Sequence, residues 1–245
     1  MINVLITGVS SGIGHALAKH YLESGACVYG LSRRHPPDLI AHPRFRFCPV
    51  DLAVPLTAQA ALQRFLLDTQ GLTVLDYAFL NAGSFSQRIA RVSDVRLADI
   101  QQLMDINVWA NKTVLDVLLH GGVSIRNCIF SASIAGVRAR AGNSGYALSK
   151  ATLNMLAKLY ALEHPDVFFA AIGLCSVDTA LSQDVLSLPI EGNFPAIANL
   201  RQRNLEPDYL ASPQQRAYQL DQLLQGPLQK LLESGDFVEI RSLLA

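Results

Sequence analysis

The chain has 245 residues, half of them hydrophobic, which is enough to bury the core of one large α/β domain. Its 20 basic and 20 acidic residues cancel and form no run of like charge, which argues against nucleic acid or an anionic membrane as a partner. The longest apolar stretches are much shorter than the ~20 residues of a membrane helix, and Met1 leads directly into a predicted strand without a signal peptide. We therefore expect a cytoplasmic protein with a single domain, residues 1–245, and a small-molecule substrate.

The first element is an apolar run over residues 2–7 that is typical of a buried parallel strand. A turn with glycines at Gly8, Gly12 and Gly14 follows, and a helical pattern then continues to Gly25. Such a turn brings the backbone close to a pyrophosphate, whose charge is met by free N–H groups and by the positive end of the helix dipole. Glycine turns of this kind are common, so this pattern alone does not identify a nucleotide site.

The remaining elements alternate between strands and helices. Further strands are predicted at 27–31, 45–50, 74–80, 125–131, 168–173 and 237–240, and helices at about 56–70, 94–119, 145–163 and 213–233. This order predicts an open, doubly wound, Rossmann-like parallel sheet of seven strands with helices on both faces.

Ligands of such sheets bind outside the carboxyl ends of the strands, where several polar and glycine-rich segments fall in this sequence. These segments are Gly8 to Gly14 with Ser10, Ser11 and Ile13, then Ser32 to Arg34, Asp51 with Leu52, Asn81 to Gly83 with Ala82, Ser131 to Ser133, and Cys175 to Thr179. We expect one cofactor to contact all of them.

A second signal is the pair Tyr146 and Lys150, which project from the same face of the predicted helix 145–163, one turn apart. A free phenol has a pKa of about 10, and a neighbouring ammonium favours its ionised form. Ser133 adds a hydroxyl that can hold the same substrate oxygen. Ser131 faces the same way, two residues earlier on the strand.

These motifs together resemble the short-chain dehydrogenase/reductase family over residues 1 to about 180. The matching residues are Thr7-Gly8-x-x-x-Gly12-Ile13-Gly14, Asn81-Ala82-Gly83, Asn107, Ser133 and Tyr146-x-x-x-Lys150, all in the family's order. Ser133 lies 13 residues before the tyrosine, the spacing that the resemblance requires, and this selects it over Ser131.

The resemblance implies reduction of a carbonyl to an alcohol, or the reverse, with Tyr146 as general acid or base. Ser133 would steady the carbonyl oxygen, and Lys150 would bias the tyrosine toward ionisation and hold the nicotinamide ribose. Asn107 would anchor a water that returns protons to the site. An alternative for Asn107 is a bond from its side chain to a neighbouring backbone carbonyl.

The choice of cofactor rests on Ser32, Arg33 and Arg34, which stand where an acidic residue would favour NAD. Arginine suits a 2′-phosphate, so we predict NADP(H) rather than NAD(H), with Arg33 as the main contact and Ser32 or Arg34 assisting. By resemblance, Asp51 should contact the adenine amino group, and the backbone of 81–83 should follow the adenosine. Val177 and Thr179 should meet the nicotinamide carboxamide.

Two segments concern the substrate. After the sixth predicted strand, relatives carry Pro-Gly where this chain has Cys175-Ser176, which removes one rigid and one permissive backbone position. The segment 181–211 is predicted to be broken helix and loop that covers the substrate, with Ser84, Phe85 and Arg88 as the opposite wall. Because no cluster of basic residues is present, we expect a neutral ketone, aldehyde or diketone. Residues 162–165, 177–179 and 233–238 resemble the sepiapterin and benzil reductase branch.

Other functions and partners stay open. The fold could serve an NADP-binding sensor or scaffold protein without turnover, or a dehydratase or epimerase with no net use of cofactor. Four widely spaced cysteines and six histidines show no metal-ligand spacing, so we predict no metal and no disulfide. By resemblance, the helices at 94–119 and 145–163 should pair two copies into a homodimer or, further, a homotetramer.

Overall fold

The computed structural model describes residues 1–207, 209–226 and 228–244, and it is built around one seven-stranded sheet. All neighbouring strands are parallel, in the order β3-β2-β1-β4-β5-β6-β7. The strands are β1 Asn3–Thr7, β2 Cys27–Ser32, β3 Phe45–Pro49, β4 Val74–Leu80, β5 Ser124–Ala132, β6 Phe168–Gly173 and β7 Phe237–Glu239. The predicted fold class is confirmed.

Helices cover both faces of the sheet. They are α1 Gly12–Glu23, α2 Pro37–Ile40, α3 Pro55–Leu62, α4 Leu97–Met104, α5 Ala110–His120, α6 Ser144–Glu163, α7 Ala180–Ser187, α8 Pro195–Arg203, α9 Pro213–Gln225, α10 Leu228–Leu231 and α11 Ile240–Leu243. Two π-helical turns, Gln63–Thr69 and Asp105–Trp109, and two 3₁₀ turns, Val92–Asp94 and Ile134–Gly136, complete the set.

The core has two layers, because successive side chains of a strand point to opposite faces. Leu5 on β1 packs in the layer that includes Leu115 of α5 and Leu153 of α6. Its neighbours on the strand pack in the other layer, with Leu17 of α1 and Leu220 of α9. Each fully buried leucine or valine contributes about 1.5–3 kcal/mol, so the sheet is fixed from both sides.

Several predicted elements differ in extent, the strands by at most one residue at each end and most of the helices by more. The helix expected over 213–233 is divided, because α9 ends at Gln225 and α10 begins at Leu228. A proline after Gly226 removes a backbone donor and disfavours helical backbone in the residue before it. The helix expected over 94–119 is interrupted by the π-helical turn Asp105–Trp109, and β7 ends at Glu239, one residue before its predicted end.

Within the described ranges, no helix combines the length and the apolar character needed to cross a bilayer. The same residues contain no group of three or more His, Cys, Asp or Glu side chains that converges as a metal site.

Candidate active site

The turn between β1 and α1 has a backbone conformation and close backbone contacts that favour glycine. Gly8 and Gly12 have φ angles of +80° and +62°, in the left-handed region that favours glycine. A Cβ at Gly14 would lie 2.4 Å from the carbonyl oxygen of Gly8, so only glycine allows α1 to approach the end of β1 this closely. The turn therefore presents bare backbone at the edge of the sheet.

The N-terminus of α1 has no side-chain cap. Ser11 is the N-cap residue, but its hydroxyl accepts no N–H from the first turn, and this turn contains no acidic residue. Its N–H groups and the positive end of the helix dipole are thus available to an anionic ligand. An uncapped helix start behind a glycine turn fits a pyrophosphate.

The ends of β1 and β4 are joined through one hydroxyl. Thr7 Oγ1 accepts the N–H groups of Asn81 and Ala82, both at 2.8 Å. Ser131, at the end of β5, donates its hydroxyl to Asn81 Oδ1 at 3.1 Å. These bonds fix the backbone of 81–83 beside the glycine turn.

A cavity of about 730 Å³ lies over these strand ends, a size typical of ligand sites. Fourteen of the predicted cofactor residues line it: Gly8, Ser10, Ser11, Gly12, Ile13, Ser32, Arg33, Arg34, Asp51, Leu52, Asn81, Ala82, Gly83 and Thr179. The structure thus brings together residues from five strand ends that the sequence placed at one edge.

At the end of the cavity near β2, two arginines face solvent. The side chain of Arg33 is 75% exposed and its Nη1 lies 3.9 Å from Asp51 Oδ2. Arg34 Nη2 donates to Ser11 Oγ at 3.4 Å, and Ser32 Oγ donates to the carbonyl of Arg34 at 2.7 Å, which fixes the turn. Among the described residues Arg34 forms no ion pair, so its positive charge is available to a ligand in the cavity.

The other end of the site contains Tyr146 and Lys150. Lys150 is 5% exposed, its Nζ donates to the carbonyl of Ser131 at 2.7 Å, and it lies 5.6 Å from the centroid of the Tyr146 ring. Burial lowers the pKa of Lys150 to about 8. Burial also raises the pKa of Tyr146, while a hydrogen bond with Ser133 acts in the opposite direction. At neutral pH the tyrosine keeps its proton and the lysine is mostly charged.

The two candidate serines have different partners. Ser131 donates to Asn81, whereas Ser133 caps the 3₁₀ turn by accepting the N–H of Ala135 at 3.2 Å, and its hydroxyl acts to lower the pKa of Tyr146. A Cβ at Gly136 would lie 2.7 Å from the backbone of Lys150, so this turn packs directly on α6. The choice of Ser133 over Ser131, made from spacing, stays a prediction.

Asn107 is fully buried in the π-helical turn, and its side-chain amide joins the loop after β4 to α6. Its Oδ1 accepts the N–H of Ser84 at 2.8 Å, and its Nδ2 donates to the carbonyl of Ser84 at 3.0 Å and to Ser149 Oγ at 2.9 Å. Its own carbonyl accepts from Asn111 Nδ2 at 2.7 Å. The sequence did not indicate that Ser149 and Asn111 contact Asn107. Their only relevant pattern is helical spacing, from Tyr146 and from Asn107 respectively.

Six predicted site residues do not line the cavity: Gly14, Asn107, Ser133, Tyr146, Lys150 and Val177. Gly14 packs under Gly8, and Val177 is buried in a bridge with Ala211. The ring of Phe85, which does line the cavity, lies against the ring of Tyr146 with centroids 4.5 Å apart.

Comparison with known proteins agrees with this architecture. The family model for short chain dehydrogenases matches residues 3–187. The chain belongs to the short-chain dehydrogenase/reductase family.

Relatives align over nearly the whole chain. An uncharacterised oxidoreductase of Schizosaccharomyces pombe is 29% identical over 98% of this chain and 96% of its own length. A Bacillus subtilis protein named benzil reductase ((S)-benzoin forming) is 25% identical over 94% of this chain and 93% of its own. The crystal structure of a Burkholderia cenocepacia short chain dehydrogenase in complex with NADP superimposes with a TM-score of 0.75, at 24% identity, over 97% of this chain and 95% of the other.

The departure from the short-chain dehydrogenase/reductase pattern after β6 has a backbone consequence. Cys175 has a φ of +60°, the only positive value among the described non-glycine residues. The position that favours glycine is therefore Cys175, one residue before the site expected from sequence. Its Sγ lies 3.6 Å from Gly173 O and from Glu239 Oε1, and it does not line the cavity.

The segment 181–211 lies mostly beyond the residues matched by the family model and forms one wall of the cavity. It contains most of α7 and all of α8, and Leu181, Pro189 and Glu191 line the cavity. Ile89 donates to the carbonyl of Pro189 at 3.1 Å and accepts the N–H of Glu191 at 2.8 Å. The broken helix predicted here is present, and it is tied to the loop that follows β4.

Proposed function

We propose that this oxidoreductase reduces a neutral carbonyl compound to an alcohol with NADPH, and that Tyr146 donates the proton. The observation that carries the proposal is the contact of Tyr146 with the buried Lys150 on one side and with Phe85, which lines the cavity at the strand ends, on the other. The relative named benzil reductase supports a carbonyl substrate.

Residues at three strand ends would hold the cofactor. The glycine turn and the uncapped start of α1 fit the pyrophosphate, and the clamped backbone of 81–83 would follow the adenosine. Thr179 faces the glycine turn, since its Cγ2 would lie 3.3 Å from a Cβ at Gly12. When bound, the nicotinamide supplies the hydride, and the protein orients the reacting groups.

The residues around the carbonyl would handle the proton. Because burial raises its pKa, Tyr146 carries a proton at neutral pH and can donate it to the carbonyl oxygen. Ser133 would hold the same oxygen through its hydroxyl. The ammonium of Lys150, fixed by the carbonyl of Ser131, would stabilise the phenolate that remains after the proton has left.

The preference for NADP(H) is supported by the charge at the end of β2. Arg34 forms no ion pair among the described residues, and Arg33 contacts Asp51 only at 3.9 Å, so both guanidinium groups can turn toward a 2′-phosphate. Arg88 and Arg96, which also line the cavity, are paired with Glu191 and Asp99. The uncompensated positive charge is therefore concentrated where the 2′-phosphate would lie.

A panel of neutral ketones, aldehydes and diketones, assayed with NADPH and with NADH, tests the proposal. We expect stoichiometric loss of NADPH absorbance with alcohol formation for at least one compound class, and slower use of NADH. Equal or better use of NADH would remove the argument from Arg33 and Arg34. Turnover of a substrate without net loss of NADPH would indicate a dehydratase or epimerase instead.

We also propose that the protein is cytoplasmic and forms a homodimer or homotetramer through α6. Four of its apolar side chains, Leu148, Met155, Leu159 and Leu162, are between 46% and 81% exposed and recur at helical spacing on one face. A second copy could cover this stripe. Sedimentation velocity of the wild type and of Leu159→Glu tests this, and a wild-type monomer at micromolar concentration would contradict it.

A further inference from the structure

The ring of Phe85 lines the cavity and packs against the ring of Tyr146. The two ring centroids are 4.5 Å apart and their planes are inclined by 43°. Phe85 lines the cavity, whereas Tyr146 does not. We therefore expect a molecule that brings its carbonyl from the cavity to the tyrosine hydroxyl to contact the Phe85 ring.

This ring is held in place by the backbone before it. Both main-chain polar groups of Ser84 are bonded to the side-chain amide of Asn107, at 2.8 and 3.0 Å. Gly83 is confined as well, since a Cβ there would lie 3.0 Å from Asn107 Oδ1. Because the segment is already ordered, a contact with the Phe85 ring costs little further loss of freedom.

The neighbouring walls are neutral or apolar. Arg88 pairs with Glu191 at 3.3 Å, and Arg96 pairs with Asp99, so the charges at this end compensate one another. Leu181 and Pro189, from the opposite segment, add apolar surface to the same cavity. This end offers an aromatic face and apolar surface to a substrate, with no uncompensated charge among the described lining residues.

We propose that Phe85 is a specificity-determining residue that selects carbonyl compounds whose carbonyl carbon is attached directly to an aromatic ring. This inference rests on the proposed carbonyl reduction and adds the substrate class. An aryl ketone is flat, so its ring can stack on Phe85 while the adjoining carbonyl reaches Tyr146. A saturated ring of the same size is puckered and lacks the π-face that an aromatic pair requires.

The test compares two methyl ketones of matched size, acetophenone and cyclohexyl methyl ketone, with NADPH. The quantity measured is the ratio of their kcat/KM values in the wild type, in Phe85→Leu and in Phe85→Tyr. Comparing ratios between variants cancels the different intrinsic reactivity of the two ketones. The matched control is Phe47→Leu, the same change at a half-buried phenylalanine of β3 that does not line the cavity.

We expect the ratio of aryl to cyclohexyl ketone to fall about three- to tenfold in Phe85→Leu, the range of an aromatic pair. It should stay within about twofold of wild type in Phe85→Tyr, which keeps the ring, and in Phe47→Leu. An unchanged ratio in Phe85→Leu, or an equal fall in Phe47→Leu, would overturn the proposal.

Failure of the proposed function has a different signature. If neither ketone is reduced by the wild type with NADPH or NADH, carbonyl reduction of these compounds is excluded. The role of Phe85 is then decided by the dissociation constants of the two ketones, measured by calorimetry in the presence of NADP⁺. Equal effects of Phe85→Leu on both constants would contradict the inference, and selective weakening of acetophenone would support it.

Discussion

The two ends of the site carry positive charge in opposite surroundings. At the end of β2 the side chain of Arg33 is 75% exposed, and that of Arg34 reaches Ser11 beside it. On α6, Lys150 is 5% exposed and bonded to a backbone carbonyl. An exposed guanidinium keeps its charge without cost and suits recognition of a phosphate. A buried ammonium is destabilised, and this makes its protonation sensitive to small changes.

The size of this difference can be judged from the pKa of Lys150. A shift from 10.5 to about 8 corresponds to roughly 3 kcal/mol against the charged form. The same burial raises the pKa of Tyr146, so desolvation acts on both partners of the pair. In the proposed function, the phosphate would therefore be recognised by exposed charges and the proton would be transferred beside a buried one.

The largest effect is expected from Tyr146→Phe, which removes the proton donor but keeps the ring that packs on Phe85. The rate of carbonyl reduction should fall about 10³-fold, within the range of general acid catalysis, while the Kd for NADPH changes by less than about threefold. Tyr218→Phe, on the exposed side of α9, is the control and should be fully active. Retained turnover in Tyr146→Phe would remove the proton-donor role.

The opposite end is tested by Arg34→Ala combined with Arg33→Ala. Loss of charge-assisted bonds to a 2′-phosphate should raise the KM for NADPH about 10- to 100-fold and leave the KM for NADH nearly unchanged. Arg64→Ala, an exposed arginine outside the cavity, serves as the control. An equal rise in the KM values for NADPH and NADH would show that the arginines do not bind the 2′-phosphate.

The pH dependence of reduction follows from the lowered pKa of Lys150. The lysine is charged below about pH 8 and loses its proton as the pH rises above that value, while the tyrosine remains protonated. We expect kcat/KM for reduction to be level below pH 7 and to decrease about tenfold between pH 7 and 9. A profile that stays flat to pH 10 would contradict the assignment of the buried ammonium.

The smallest effect is expected on stability, from a substitution in the glycine turn between β1 and α1. Gly14→Ala places a Cβ 2.4 Å from the backbone oxygen of Gly8, which cannot move without shifting β1, so the free energy of unfolding should fall by about 1–3 kcal/mol. In Gly145→Ala the obstructing atom is the end of the Leu103 side chain, at 2.9 Å, which can rotate. Denaturant unfolding should show a smaller decrease in the free energy of unfolding for Gly145→Ala than for Gly14→Ala. Equal decreases would contradict the role given to the close contact at Gly14.

The sheet and the residues at its edge could be predicted from the sequence, because both depend on local patterns. Strand runs and glycine turns alternate along the chain, and parallel strands bring their carboxyl ends together whatever the intervening helices do. Gly8, Asn81 and Thr179 were placed at one cavity for this reason. Tyr146 and Lys150 were placed side by side by helical spacing alone.

What could not be predicted depends on contacts between distant segments. The ring contact between Phe85 and Tyr146 joins residues that are 61 positions apart. The hydrogen bonds between Asn107 and Ser84 join residues that are 23 positions apart. The positive φ at Cys175 required the backbone itself, since nothing in a cysteine signals a left-handed conformation. Ile89 and Ile190 form an isolated β-bridge, which is too short to produce a strand pattern in the sequence.

The most direct test of the account is the transfer of deuterium from NADPH labelled at C4 of the nicotinamide to a ketone, followed by mass spectrometry of the alcohol. We predict that one of the two prochiral labelled forms, and not the other, delivers one deuterium to the carbinol carbon, and that Tyr146→Phe slows this transfer about 10³-fold while still binding NADPH. Alcohol that carries no deuterium from either form, or transfer at the wild-type rate in Tyr146→Phe, would contradict it.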